Sequence, residues 1–238
     1  MLEKRTRTDY QCIIIPDHGY YTYSAQTLPD INGGLKMKII HAIIFLQNWG
    51  ASEELITLLK RDPHVISLFH IMGRHSYLMD ANFDSKPQLE KWIAGLKSVN
   101  LPSGVPAVIS IETQKIIDVL KAKTDYGLSD YLKIGEKYHL FVKIDNPRHD
   151  DKLIALLGNS GIVMSTLHVQ GESSFIAEVI TGDYAEYKNL LSGLKTLDSI
   201  HHLETQEVIS VLKYRNKIMD EGGNLVSPAV DIREMYTL

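Results

Sequence analysis

Four histidines recur in register along this chain: His41 and His70 fall on His139 and His168 when the sequence is slid on itself by 98 residues. An imidazole titrates near neutrality, so histidines gathered on one sheet face could serve as ligands or as general acid and base. The same offset superimposes two glycine-led stretches, Gly73-Arg74-His75-Ser76 and Gly171-Glu172-Ser173-Ser174. Arg74 could grip a carboxylate with two parallel hydrogen bonds where Glu172 would repel it, so if a carboxylate-bearing metabolite binds at all it is expected at the first stretch. A plainer account competes with both ideas. The histidines were copied with everything around them and fill polar positions on half-buried strands, and the glycine-led stretches are exposed turns.

Other chemistry finds little support. No dinucleotide-binding or P-loop glycine pattern occurs, and no Ser-His-Asp or Cys-His arrangement is visible. The single cysteine, Cys12, precedes Ile13 to Ile15 and reads as a strand residue, so neither a disulfide nor a cysteine-based zinc site is expected. Glu112 and Glu204 read as solvated residues ahead of the closing strands, and His201-His202 as a loop or the start of a strand. No metal and no cofactor are expected. With 25 basic and 29 acidic residues the net charge is −4, which offers no general attraction to nucleic acid. The first residues lack a signal-peptide core and no apolar run reaches membrane length, so the expectation is a cytoplasmic protein without membrane contact.

These residues must be positioned by elements, and the elements repeat. ETQKIIDVLKAK at Glu112–Lys123 returns as ETQEVISVLKYR at Glu204–Arg215, 92 residues later. The change of offset from 98 to 92 assigns six extra residues to the first copy, around Asn100–Val105, where a loop absorbs them at little cost. Periodicity gives the order within each copy. Lys36–Gln47 and Lys137–Ile144 read as strands, and Ser52 caps a helix over SEELITLLKRD. HVISLFHIM and IVMSTLHVQ read as strands that turn at glycine into SYLMDANF and FIAEVIT. Second helices follow from about Pro87 and Tyr184, and the twin dodecapeptides close each copy as strands.

The result is an α+β chain with two tandem ferredoxin-like βαββαβ units, expected to pack as an intramolecular α/β barrel. The expected domains are a β-rich extension at 1–35, units at 36–123 and 137–219, a linker at 124–136, and a C-terminal arm at 220–238 that packs on another surface. Alternation turns Ile40, Ala42, Ile44, Leu46, Val65, Phe69 and Ile71 toward the helices. Leu140, Val142, Ile144, Val163, Leu167 and Val169 match them. His41, His70, His139 and His168 are then expected on the opposite, barrel-forming face.

The run from HVISLFHIMG through SYLMDANF, a helix ending in GLK and a closing strand with a threonine resembles the effector-binding domain of the Lrp/AsnC regulators. That resemblance implies a domain that pairs as an α/β barrel and binds an amino acid or another small-molecule effector. It implies ligand positions at Gly73, Arg74, His75, Ser76 and Thr113, and at Gly171, Ser173, Ser174 and Thr205. The chain departs from the family in having no room for a helix-turn-helix before the first copy, and in Ser76 and Ser174 where the family has an acid. The expected function is a small-molecule-sensing or regulatory module, not an enzyme, that acts through a homo-oligomer or a regulatory protein partner without touching nucleic acid. The alternatives are a dimeric α/β-barrel enzyme, monooxygenase-like or tetrapyrrole-processing, and a purely structural oligomerisation module.

Overall fold

The computed structural model describes residues 11–14, 21–24, 39–50, 52–122, 137–147 and 150–220. The expected linker lies outside them, as does the C-terminal arm beyond Asp220. Chain contacts separate Met1–Met37 from Lys38–Leu238. In the former, β1 (Gln11–Ile14) and β2 (Tyr21–Ser24) pair antiparallel, with Gln11 opposite Ser24.

In the latter the order β-α-β-β-α-β occurs twice. The first run is β3 (Ile40–Asn48), α1 (Glu53–Arg61), β4 (Val65–Met72), β5 (Tyr77–Phe83), α2 (Lys86–Lys97) and β6 (Val108–Ala122). The second is β7 (Tyr138–Asp145), α3 (Asp151–Asn159), β8 (Val163–Gln170), β9 (Phe175–Thr181), α4 (Tyr184–Lys195) and β10 (His202–Tyr214), followed by the short β11 (Lys217–Ile218). Caps fix where the helices begin. The Ser52 and Ser85 hydroxyls accept from Leu55 and Gln88 N–H, and the Asp150 and Asp183 carboxylates accept from Lys152 and Ala185 N–H. Each such cap stabilises its helix by about 1 kcal/mol. Among the described residues no helix is long and apolar enough to cross a membrane.

The strands form one antiparallel sheet in the order β11-β10-β4-β5-β3-β6-β8-β9-β7, and β10 also pairs with β7. Hydrogen bonding therefore returns to its start. The closing strands make this possible by being long, at 15 residues for β6 and 13 for β10. Each pairs first within its own run, β6 with β3 and β10 with β7, and then crosses to the other run, β6 with β8 and β10 with β4. Leu120 of β6 accordingly packs in the helix-side core of the second run, and Leu212 of β10 in that of the first.

Three apolar clusters result. One lies between the first run's strands and its helices and holds Ala42, Ile44, Leu46, Leu55 and Leu59. Its counterpart holds Leu140, Val142, Ile144, Leu153 and Leu157. The third covers the face turned away from the helices and draws on both runs, with Ile43, Phe45, Phe69, Ile71, Phe141, Val169 and Val208. Each of these large side chains contributes about 1.5–3 kcal/mol on burial.

The expected alternation holds for β3 and β7 but fails along β4 and β8. Val65 and Val163 do face the helices, whereas Phe69, Ile71, Leu167 and Val169 lie on the inner face. The cause is a register shift against β5 between Val65 and Ser67, matched against β9 between Val163 and Ser165. One extra residue in a strand reverses every side chain beyond it.

Candidate functional site

The same shift relocates two of the four histidines. His70 lies against Tyr77 and His168 against Phe175, both rings belonging to the helix-side cores, so neither histidine is on the inner face. His41 and His139 are there as expected. His41 pairs with Asp80, and His139 Nε2 lies 2.9 Å from Glu178 Oε1. Ser165 Oγ donates to the other Glu178 oxygen at 3.3 Å.

The glycine-led hairpins come together at the opposite end of these strands. Arg74 Nη1 lies 3.5 Å from Glu172 Oε2, a pair of residues 98 apart that the sequence alignment makes equivalents of each other. Arg74 is therefore already offset by a carboxylate, which removes the reason to expect it to hold a ligand's carboxylate by itself. Ser76 and Ser174 close the hairpins: their N–H groups donate to Leu46 and Ile144 carbonyls, and their hydroxyls accept from Asn48 and Asn146 N–H. The Thr113 and Thr205 side chains sit opposite Ile44 and Val142 on the helix side of the sheet, away from the hairpin cluster, although the Thr113 carbonyl lies against Gly171.

Their neighbours reach it instead. Glu112 and Gln114 flank Thr113, Glu204 and Gln206 flank Thr205, and alternation sends all four inward beneath the hairpins. Gln114 and Gln206 are wholly buried, Glu112 is buried and Glu204 half-buried. The expectation that the two glutamates are solvated is overturned, because both lie within strands and meet a buried cation. Lys143 Nζ is 2.7 Å from Glu112 Oε1 and 3.2 Å from Glu204 Oε2, and 4.9 Å from the centre of the Phe45 ring. His75 Nε2 lies 3.5 Å from Glu112 Oε2.

Two further contacts explain the glycines. Gln114 Nε2 donates to Glu112 at 2.5 Å and Gln206 Nε2 to Glu204 at 2.6 Å, which aims each Gln Oε1 at the other run's hairpin. A Cβ on Gly171 would overlap the Gln114 amide, and one on Gly73 the Gln206 amide. Only glycine admits so close an approach. The two hairpins then differ. Ser173 N–H donates to Gln114 Oε1 at 3.4 Å, but Gln206 Oε1 is left without a partner, as is His75 Nδ1, and Gly73 alone of the two glycines has a positive φ, 151°.

Burial pushes the His75 imidazole below its usual range, with the Glu112 charge opposing, so the ring is neutral at pH 7. Burial acts to raise the Glu112 carboxyl, but hydrogen bonds from Lys143 and Gln114 and the lysine charge outweigh it and hold the group below its ordinary value. The cluster thus combines two carboxylates, one ammonium, two carboxamides and a neutral imidazole. Among the described residues no group of His, Cys, Asp and Glu is arranged to hold a metal ion. The sequence did carry a signal for this cluster, the Glu-x-Gln triplet written twice at equivalent positions. Its burial depends on Lys143, whose counterpart at position 45 is phenylalanine.

No family model and no curated protein matches the chain. Solved structures do. The crystal structure of the siroheme decarboxylase NirDL is similar with a TM-score of 0.55 at 8% identity, over 79% of this chain and 77% of that one. The same enzyme in complex with an iron-uroporphyrin III analogue gives 0.53 at 8% identity, over 75% and 73%. A transcriptional regulator from Neisseria meningitidis in complex with L-Met is similar over 37% of this chain and 56% of its own, at 18% identity and a TM-score of 0.30. At such identities the likeness to the decarboxylase bears on the fold alone, a mixed α+β chain with a mostly antiparallel sheet and four helices among the described residues.

Proposed function

We propose that the chain is a small-molecule-sensing, regulatory module of the Lrp/AsnC kind. In this reading two tandem ferredoxin-like units, 36–123 and 137–219, pack as an intramolecular α/β barrel and bind their effector at the hairpin end. The observation that carries it is the buried Glu112–Lys143–Glu204 cluster, assembled from both runs with two acceptors unused. Withdrawing that many polar groups from water costs stability, and apolar side chains would fill the same space without that cost. A ligand seated there touches β6, β10 and both hairpins, so it alters how firmly the runs hold each other. Such differential contact is what a sensor requires. The response passes to a regulatory protein partner or a second copy of the chain, without direct nucleic-acid contact and without a cofactor.

Native mass spectrometry of freshly purified protein tests this, together with thermal-shift screening against common metabolites, the amino acids included. The expected result is a retained small-molecule mass, or a ligand-dependent rise in Tm that Glu204→Gln loses. A protein that holds no small molecule and responds to none overturns the reading.

A second reading has its own support: the likeness to a siroheme decarboxylase, together with the His41–Asp80 and His139–Glu178 pairs on the inner face. It makes the chain a barrel enzyme acting on a tetrapyrrole, with those histidines beside the substrate. Titration with iron-uroporphyrin III, followed in the visible spectrum, separates the two. A band shift lost in both His41→Ala and His139→Ala favours the enzyme, and an unchanged spectrum removes it.

A further inference from the structure

The unused atoms at the hairpin end share one chemistry. Gln206 must turn its NH₂ group toward the Glu204 carboxylate, which can only accept, so its Oε1 faces the Gly73 hairpin as an acceptor. With the His75 proton on Nε2, the atom facing Glu112, Nδ1 is an acceptor as well. Both side chains are more than nine-tenths buried, His75 at 4% and Gln206 at 0% exposure, and neither atom has a partner. The local charge has the same sign. Three carboxylates, Glu112, Glu204 and Glu172, the last of which also reaches Glu112, face two cations, Lys143 and Arg74, so the formal balance is one negative charge.

We propose that the hairpin end binds the ammonium group of a compact primary amine, which donates to Glu204, to Gln206 Oε1 and to His75 Nδ1. An ammonium has three N–H donors and one positive charge, which matches three acceptors and one excess negative charge. A carboxylate has no donor and would meet the two buried acceptors and the Glu204 charge with nothing to offset them. Glu204 keeps 18% of its side chain exposed and so meets solvent. This inference rests on the sensing reading and specifies the chemistry of its ligand.

The test uses the full chain and methylammonium chloride as the probe, with tetramethylammonium chloride and sodium acetate as controls. Nitrogen-15 NMR of the imidazole of His75 reads the site directly, because an acceptor nitrogen moves upfield when it gains a hydrogen bond. The expected result is a saturable upfield shift of Nδ1 with methylammonium only. In Glu204→Gln, which keeps the shape and removes the charge, the affinity falls roughly tenfold or more, as for a lost hydrogen bond to a charged group. In Gln206→Met, checked for native fold by circular dichroism, it falls by a smaller factor. An equal response to tetramethylammonium, a response to acetate, or no saturable shift overturns the amine. A carboxylate mass retained in native mass spectrometry alongside any of these would sink this inference and leave the sensing reading standing. No retained mass and no thermal response would remove both.

Discussion

The two ends of the closing strands obey different rules. Near their starts, under the hairpins, the runs keep Glu112 and Glu204, and Gln114 and Gln206, alike but surround them with unlike residues at equivalent positions: Phe45 and Lys143, Arg74 and Glu172, His75 and Ser173. Near their far ends they present the same residue for the same task. Lys121 donates to the Leu157, Gly158 and Ser160 carbonyls at the end of α3, and Lys213 to the Asp62 carbonyl at the end of α1. The difference follows from what each residue meets. A lysine at a helix C-terminus meets backbone carbonyls, which welcome a cation whichever run supplies it. Under the hairpins Phe45 meets its equivalent Lys143 and Arg74 meets Glu172, while Glu112 and Glu204 share the one lysine. A second lysine at position 45 or a second glutamate at position 74 would face its like and repel it. Linking both runs in one chain lets each such position carry two different residues, so the shared site becomes lopsided.

Making the hairpin end alike should therefore do the most damage. Lys143→Phe repeats Phe45 and leaves Glu112 and Glu204 without their cation, at an expected cost of about 3–5 kcal/mol. Urea denaturation measures it, and adding Glu112→Gln should restore part of the loss. A change under 1 kcal/mol would mean the cluster is already hydrated and the contrast between the ends is wrong.

Next come the glycines, at about 2–3 kcal/mol each by the same measurement. Gly73→Ala and Gly171→Ala both drive a methyl group into a buried glutamine amide, and Gly73→Ala adds backbone strain at φ 151°. Gly73→Ala should be the worse of the two, and the reverse order would show that backbone conformation is not what separates the hairpins.

The ends should also separate by pH. Glu112 is held below its ordinary value of 4.5, so its contribution is present above that value and is lost as pH falls through the folded value. Glu112→Gln should flatten this acid limb. At the other end burial lowers the Lys213 ammonium to about 8 from 10.5, against the charge of Asp62. Between those values the unfolded chain binds more protons, so stability rises with pH across the window, and the cost of the buried cation is fully present below it. Lys213→Met should remove that rise in a series of melting curves, whereas Lys121→Met should leave it in place.

The smallest effect belongs to the exposed Arg74–Glu172 pair. Arg74→Ala or Glu172→Ala should cost about 0.2–1 kcal/mol and less in high salt. A larger, salt-independent loss would make this pair part of the buried cluster.

How far a residue's place could be read from sequence depended on the range of the interaction that fixes it. The helices, the Ser52 cap and the faces of β3 and β7 were legible, because 3.6- and 2-residue periods and capping are properties of neighbouring residues. The β4 and β8 faces were not. The shift near Ile66 and Met164 is defined only by the partner strands β5 and β9, and it carried His70 and His168 to the helix side. The twin Glu-x-Gln triplets were visible as repeated letters, yet their burial was not, since a glutamate next to a strand is solvated unless a cation arrives to meet it. For Glu112 that cation comes from position 143, 31 residues away and in the other run. The sequence by itself determined the elements and their recurrence. The closing strands' crossing from one run to the other decided which recurring residues became a site, because only that crossing carries Gln114 to Gly171 and Gln206 to Gly73.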